Sequence, residues 1–191
     1  VLVAQEVTLY GKDLTGKKEL PNLLRRLCRI EGIEWIRLLY CYPEEVTDEL
    51  IEVMKTEEKV CNYIDMPIQH SENRILQRMG RRTSREDLTA IIGKLRKEIP
   101  DIAIRTTLIS GFPGETWEDH EGLFDFVKEC RFERLGVFTY SQEEDTPAAE
   151  FEDQIPEEIK EQRRDEIMAL QQQISLEHTR NMVGKVIKVM V

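Results

Sequence analysis

Strand-like and helix-like segments alternate regularly along the first 140 residues, and this alternation leaves few possible folds. Helices are predicted to begin near Pro21, Thr47, Ser84 and Thr116, residue types that favour the start of a helix. Helical crossovers between successive strands require a parallel sheet with helices outside it. We therefore predict an α/β fold, whose functional residues follow the carboxyl ends of the strands. The predicted strands are 1–5, 35–40, 63–66, 102–109 and 135–140.

The last 50 residues have a different character. Residues 141–156 are acidic, contain two prolines and show no periodicity, which is typical of a loop. A long polar helix is predicted from Glu157 to about Asn181, and its sparse apolar stripe favours a helix lying along the domain, although a bridge to a following domain is compatible with it. Gly184 is predicted to end this helix and to precede a further strand. The stripe comprises Ile159, Ile167, Leu170 and Ile174.

Composition limits the partners. The chain has 27 basic and 37 acidic residues, a formal charge of −10, which disfavours sequence-independent nucleic-acid binding and is better matched to a basic protein. No apolar run approaches the roughly 20 residues that span a bilayer, and no signal peptide is visible. The first residue is valine and both ends fall in apolar runs, so we expect a fragment of a longer protein.

The four cysteines do not form a recognisable ligand motif. None of them has the CxxC or CxxxCxxC spacing of zinc or iron–sulfur ligands, so we predict no metal ligands in this chain. No disulfide is suggested either, which favours a reducing cytoplasm. Cys41 lies at a predicted strand end, where a functional role is conceivable. The cysteines are Cys28, Cys41, Cys61 and Cys130.

Several polar residues near the strand ends are open to more than one interpretation. Gly111 has no Cβ and could let a flat ligand approach the backbone, while Glu115 could hold this turn or contact a ligand. His70 could be a base, a metal ligand or a structural donor, and a structural role is commonest for a lone histidine. Arg105 is predicted to be buried and so to need a carboxylate, either from the protein or from a ligand. His120 and His178 are predicted to be solvated.

Four separated motifs, in the right order, resemble one known family. They are Ala4–Thr8 (AQEVT), Asp65–Ser71 (DMPIQHS) with the following Met79-Gly80-Arg81, Arg105–Thr116 (RTTLISGFPGET) and Leu170–Ser175 (LQQQIS). Together they resemble the radical S-adenosylmethionine methylthiotransferases over essentially the whole chain. The Pro-Ile-Gln-His and LQQQIS forms most resemble the type that methylthiolates the β-carbon of an aspartate in a small-subunit ribosomal protein. The alternative is the type that modifies tRNA adenosine, which usually carries Gln-Ser-Gly at the central motif.

The resemblance implies a partial (βα)6 TIM-like barrel of the radical SAM type that binds S-adenosylmethionine and a [4Fe–4S] cluster. It assigns 1–155 to the barrel, without its first strand and cluster loop, 156–183 to a linking helix, and 184–191 to the first strand of a truncated TRAM-like β domain. The CxxxCxxC cluster ligands of the family are not in this chain, so the fragment is expected to lack the cluster and to be inactive.

The resemblance also assigns the site residues. Gln5 and Glu6 are expected near the methionine part of the cofactor, and Gln69, His70 and Arg105 are expected to line the cofactor or substrate cavity. Thr107 is assigned to the cofactor site as well. The adenine is expected against Ser110, Gly111 and Phe112, with Phe138 and Tyr140 closing its far side.

Overall fold

The computed structural model describes residues 4–189, and its strands form one parallel sheet. The helices are α1 (Lys12–Thr15), α2 (Leu20–Cys28), α3 (Asp48–Thr56), α4 (Asn73–Arg78), α5 (Arg85–Glu98), α6 (Trp117–Cys130) and α7 (Glu157–Arg180), with short 3₁₀ turns at Pro43–Glu45 and Pro147–Glu150. The strands are β1 (Ile36–Leu38), β2 (Val60–Asp65), β3 (Ala103–Ser110) and β4 (Arg134–Thr139).

The strands lie in the order β1-β2-β3-β4, so each strand pairs with the next one along the chain. This is the sequential, all-parallel arrangement of part of a β/α barrel, which confirms the predicted fold class. The predicted strand at 1–5 falls largely outside the described residues, and Ala4 and Gln5, which are described, belong to no strand.

Helix starts were correctly predicted because they depend on local chemistry. The hydroxyls of Thr47, Ser84 and Thr116 each accept a hydrogen bond from the backbone N–H three residues later. At Ser84 and Thr116 an aspartate at that third position also accepts from the N-cap backbone, which completes a capping box. Pro21 lies in the first turn of α2 as predicted.

The sheet has one face against helices and one face that is open. Along β3, Ile104, Thr106 and Leu108 are fully buried toward the helices. Residues between them point the other way. We call this other side the open face; it carries Arg37, Tyr63, Arg105, Thr107 and Phe138. Arg105 was predicted to be buried, and this prediction is wrong, because the pleat places its side chain on the open face, where 48% of it is exposed.

Helix α7 packs along the barrel through a stripe that is mostly polar. Its buried residues are Lys160, Arg163, Ile167, Gln171 and Ile174. The prediction of a helix lying along the domain is therefore confirmed, but the predicted stripe is only partly right, since Ile159 is 39% exposed. Between Gly184 and Val189 the structure contains no strand.

No helix within residues 4–189 is long and apolar enough to cross a membrane.

Candidate functional site

The structure brings the residues predicted from the strand ends to one edge of the sheet. The Val7 N–H donates to the Tyr40 carbonyl at 3.2 Å, which places the Glu6 segment beside the end of β1. Gln69 forms a parallel bridge with Leu108. The Tyr140 N–H donates to the Ser110 carbonyl at 2.9 Å, so the ends of β3 and β4 also meet there. This carboxyl edge is where a β/α barrel carries its ligands.

Glu6 provides a partly buried carboxylate at this edge. Its Oε2 accepts from the Tyr42 N–H at 3.0 Å, and its Oε1 accepts from the Thr8 N–H at 2.7 Å and from the Thr8 hydroxyl. Burial raises the pKa of Glu6 to about 7, although these two backbone N–H groups oppose the shift. Glu6 also borders a cavity of about 570 Å³, whose wall includes Tyr10 and Leu14. Gln5 is exposed next to it.

A charged group lies in the middle of the open face. The Arg37 guanidinium lies 4.7 Å from the centre of the Tyr63 ring. Arg105 Nη1 lies 3.4 Å from Asp65 Oδ1, and Asp65 Oδ2 accepts from the Tyr40 N–H at 3.2 Å. The pKa of the Tyr63 hydroxyl is raised, mainly by burial and then by Asp65, while Arg105 and Arg37 oppose the shift. The protein carboxylate beside Arg105 is thus Asp65, one of the two partners that the sequence left open.

The glycine-rich turn after β3 is held from within the protein. Gly111 has φ +71° and is buried, and a Cβ on it would lie only 2.8 Å from Lys160 Cβ. The Gly111 N–H donates to Glu115 Oε2 at 2.8 Å, and the Ser110 hydroxyl donates to the Lys160 carbonyl at 3.2 Å. The expectation that Gly111 leaves space for a ligand is therefore wrong on its side-chain side, because α7 occupies that space.

Glu115 is the centre of a buried ionic network. Its Oε1 accepts from Arg163 Nη1 at 2.9 Å, and Arg163 Nη1 also donates to the Glu115 carbonyl at 3.0 Å. Burial alone would raise the pKa of Glu115, but His70, Arg163 and the Gly111 N–H outweigh it and lower the pKa. Arg163 makes the close ion pair, since His70 Nε2 lies at 3.5 Å from Oε2. Of the two interpretations of Glu115, the structure supports the turn-holding carboxylate.

His70 is fully buried and does not line the open face. Its Nδ1 accepts from the Glu72 N–H at 3.0 Å, which leaves Nε2 as the ring nitrogen that faces Glu115. In this structure the ring is buried rather than exposed to the cavity, which favours the structural alternative. The ring faces Glu115, which holds the glycine-rich turn, and so supports that turn indirectly.

The three predicted aromatic residues differ sharply in exposure. Phe112 and Tyr140 are buried against each other, with ring centres 5.2 Å apart, and the Tyr140 hydroxyl has no hydrogen-bond partner among the described residues. Phe138 is 64% exposed on the open face. Phe138 can therefore contact a ligand directly, whereas Phe112 and Tyr140 belong to a buried cluster with Ile75.

Two other predictions concern charged side chains away from this edge. His120 is 1% exposed and its Nε2 lies 2.8 Å from Glu166 Oε2 on α7, so the prediction that it is solvated is wrong. His178 is partly exposed and lies 3.1 Å from the Arg131 carbonyl.

The described residues do not fit an iron–sulfur cluster. Among residues 4–189 no group of three His, Cys, Asp or Glu side chains could hold a metal ion. Burial raises the pKa of the fully buried Cys41 thiol and raises that of Cys130 to about 11, which disfavours the thiolate form that binds iron. A functional role for Cys41 is therefore not supported.

Sequence reasoning missed Arg37, Tyr63 and Asp65. Asp65 was quoted within a motif but given no role, and Arg37 and Tyr63 lie in predicted strands. Alternation along those strands could have found them, because charged and polar side chains at every second position of a barrel strand point to one side.

Comparison with known proteins gives a consistent result. Residues 3–127 match the model of the Radical SAM superfamily. Over all 191 residues the chain is 63% identical to a protein of Lachnoclostridium phytofermentans and 54% identical to one of Desulfitobacterium hafniense, both named ribosomal protein uS12 methylthiotransferase RimO. The chain spans 43% of the length of each of these relatives.

Solved structures agree on the fold. Coproporphyrinogen III oxidase (HemN) from Escherichia coli matches with a TM-score of 0.65 at 22% identity, over 82% of this chain and 36% of that one. Elp3 from Methanocaldococcus infernus matches with a TM-score of 0.53 at 19% identity, over 68% of this chain and 30% of that one. The first of these proteins is a radical SAM enzyme, so the likeness fits the predicted partial barrel.

Proposed function

The chain belongs to the radical SAM superfamily, and on this premise we propose that it is part of an enzyme that methylthiolates an aspartate of a small-subunit ribosomal protein. The observation that carries the proposal is the 63% identity, over the whole chain, to a relative named for the modification of ribosomal protein uS12. The formal charge of −10 supports a basic protein substrate rather than a nucleic acid.

The residues at the carboxyl edge fit S-adenosylmethionine. A half-buried carboxylate at Glu6 and an exposed aromatic ring at Phe138 offer charged and stacking contacts, and an open groove of about 570 Å³ lies beside the carboxylate. When bound with a reducing cluster, this cofactor supplies a radical that can remove hydrogen from an unactivated carbon.

The predicted site residues contact different parts of the cofactor. Gln5 and Glu6 bind the amino-acid end of the cofactor, while Gln69 and Thr107 line its path along the open face. Phe138 stacks on the flat ring system. Residues 110–112 form the turn that borders the ring, with the Gly111 N–H and the Ser110 carbonyl already bonded within the protein.

A second layer holds the first in position. Glu115, fixed by Arg163, accepts the Gly111 N–H and so holds the turn, and His70 faces the other side of the same carboxylate. Tyr140 and Phe112 fill the space under the turn. These groups act on the cofactor only through the backbone that they position.

The cluster ligands are proposed to lie in another part of a longer protein. The described residues provide no ligand set for a cluster, and the chain covers 43% of its relatives. We expect the 191-residue chain alone to be colourless and inactive, and the full-length protein to contain the cluster.

Mass spectrometry on cells lacking the gene tests this function. Digested ribosomal proteins and tRNA nucleosides are compared with those of the parent strain. Loss of a methylthio group from an aspartate-containing ribosomal peptide is the expected result. Loss of a methylthiolated adenosine instead would show that the substrate is tRNA, and no loss of either would refute both assignments.

A further inference from the structure

We propose that Arg37 and Arg105, on the open face, recognise the carboxylate of the substrate aspartate. This inference rests on the proposed function and deepens it, because it assigns substrate recognition to two guanidiniums on strands β1 and β3. It separates these residues from the groups at the carboxyl edge that are proposed to bind the cofactor.

Strand register places Arg105 and Arg134 side by side on the open face, and Arg37 lies on the same face but is offset toward the amino end of β1; we call these three arginines the row. Arg105 on β3 is paired with Arg134 on β4, and both side chains lie on the open face. On the other side of Arg105 its register partner is Asp65 on β2. Beyond it, Arg37 on β1 lies over the Tyr63 ring at 4.7 Å. The row therefore crosses all four strands.

Charge in this row is only partly compensated within the protein. Among residues 4–189, Asp65 is the one carboxylate within ion-pair distance of these three arginines, and it lies 3.4 Å from Arg105. Arg134 donates to a backbone carbonyl, and Arg37 contacts an aromatic face. Three positive charges thus face one negative charge, on a chain whose formal charge is −10.

The row is available to a ligand and already oriented. Arg105 keeps 48% of its side chain exposed although it contacts Asp65, whose own side chain is 2% exposed. Stacking on Tyr63 restricts the Arg37 side chain, which lowers the entropy lost when its planar fork binds an acid. A carboxylate can accept two parallel N–H bonds from such a fork.

A single carboxylate fits this site better than a nucleic-acid backbone. Binding of nucleic acid relies on many phosphate contacts, which a strongly acidic chain opposes. The positive charge that remains after Asp65 is counted is sufficient to attract one acidic side chain. The aspartate of a basic ribosomal protein therefore provides both the local carboxylate and the overall charge complement.

The test uses the full-length protein that contains this chain, with its cluster reconstituted. Binding of ribosomal protein uS12 and of its variant with asparagine at the modified position is measured by calorimetry. We expect the wild-type enzyme to bind the aspartate form at least about 10-fold more tightly. Arg37→Gln and Arg105→Gln should each abolish this preference. Arg26→Gln, an exposed arginine on α2, is the matched control and should retain it.

Two further readouts separate substrate recognition from other roles. Affinity for S-adenosylhomocysteine should be unchanged in Arg37→Gln and Arg105→Gln, and the melting temperature should be unchanged in Arg37→Gln, whereas Arg105→Gln should lower it because Asp65 loses its cationic partner. Weaker binding of S-adenosylhomocysteine with an intact aspartate preference would overturn the inference and place these arginines at the cofactor.

The remaining outcomes are also decisive. If wild-type enzyme modifies uS12 but both variants still prefer aspartate, the inference is wrong and the proposed function stands. If the variants instead lose salt-dependent tRNA binding, the row is a phosphate site. If wild-type enzyme does not modify uS12 at all, the function and the inference fall together.

Discussion

Replacing Arg163 by methionine should destabilise the protein strongly, because it leaves the Glu115 carboxylate buried without its close partner. Glu115 is 2% exposed, and Arg163 Nη1 lies 2.9 Å from its Oε1. Removing one member of a buried ion pair costs about 3–5 kcal/mol. For a chain of this length each kcal/mol lowers the melting temperature by about 2–4 °C, so we expect a decrease of roughly 6–20 °C at pH 7.

The pH dependence of that decrease identifies its cause. In the wild-type protein the lowered pKa of Glu115 gives a stabilisation that is present above the ordinary value of 4.5 and is lost as the pH falls. Without Arg163 one of the groups that lower the pKa of this carboxyl is lost, so its pKa rises relative to the wild-type protein and the destabilisation becomes smaller as the pH falls and Glu115 takes up a proton. The difference in melting temperature should therefore shrink between pH 7 and pH 4.

Two variants control this experiment. Arg164→Met removes the exposed neighbouring arginine and should leave the melting temperature nearly unchanged. Adding Glu115→Gln to Arg163→Met removes the unpaired charge and should recover part of the loss. A loss of unfolding free energy below about 1 kcal/mol would refute the assignment of Glu115 as a buried, ionised centre. A decrease in melting temperature that does not change with pH would refute it as well.

Three further predictions concern the site. Glu6→Gln should remove a pH dependence of stability. In the wild-type protein the raised pKa of Glu6 gives a stabilisation that is full below about pH 4.5 and is lost by about pH 7. The melting temperature of wild type relative to the variant should therefore fall over that range. Gly111→Ala should cost at least about 1–2 kcal/mol in urea unfolding because of its positive φ and the approach of α7, whereas Gly93→Ala, in open space on α5, should stabilise by about 0.5–1 kcal/mol. Phe138→Ala should weaken binding of S-adenosylhomocysteine to the full-length protein about 10-fold, while Trp117→Ala, on an outer helix, should not; equal effects would argue against stacking on Phe138.

The features that could be predicted from the sequence depend on neighbours within a few residues. The caps at Ser84 and Thr116 need only an acceptor and an acid three residues later, so their positions were correct. The same holds for the alternation of strands and helices, because each periodicity is local. The existence of the four strands followed from it, but their ends did not: the predicted strand 63–66 is Val60–Asp65 in the structure.

The features that could not be predicted depend on contacts between distant segments. His120 was expected to be solvated because its sequence neighbours are charged, but its partner, Glu166, is 46 residues away on α7. Gly111 was interpreted as an opening for a ligand, whereas Lys160 fills that space. Arg105 lies among apolar neighbours in sequence, yet pleating sends alternate side chains to opposite sides of the sheet.

The polar stripe of α7 determines how the helix can attach. An apolar stripe tolerates a shift of one turn along the helix axis, since one methyl group can replace another in the contact. Here Arg163 must meet the Glu115 carboxylate and Gln171 must meet the Phe132 carbonyl at the same time. A shift of one turn, about 5.4 Å, would leave both donors buried without a hydrogen-bond acceptor. The helix therefore has a single position in which it can pack, and its polar inner side can be hydrated before it packs.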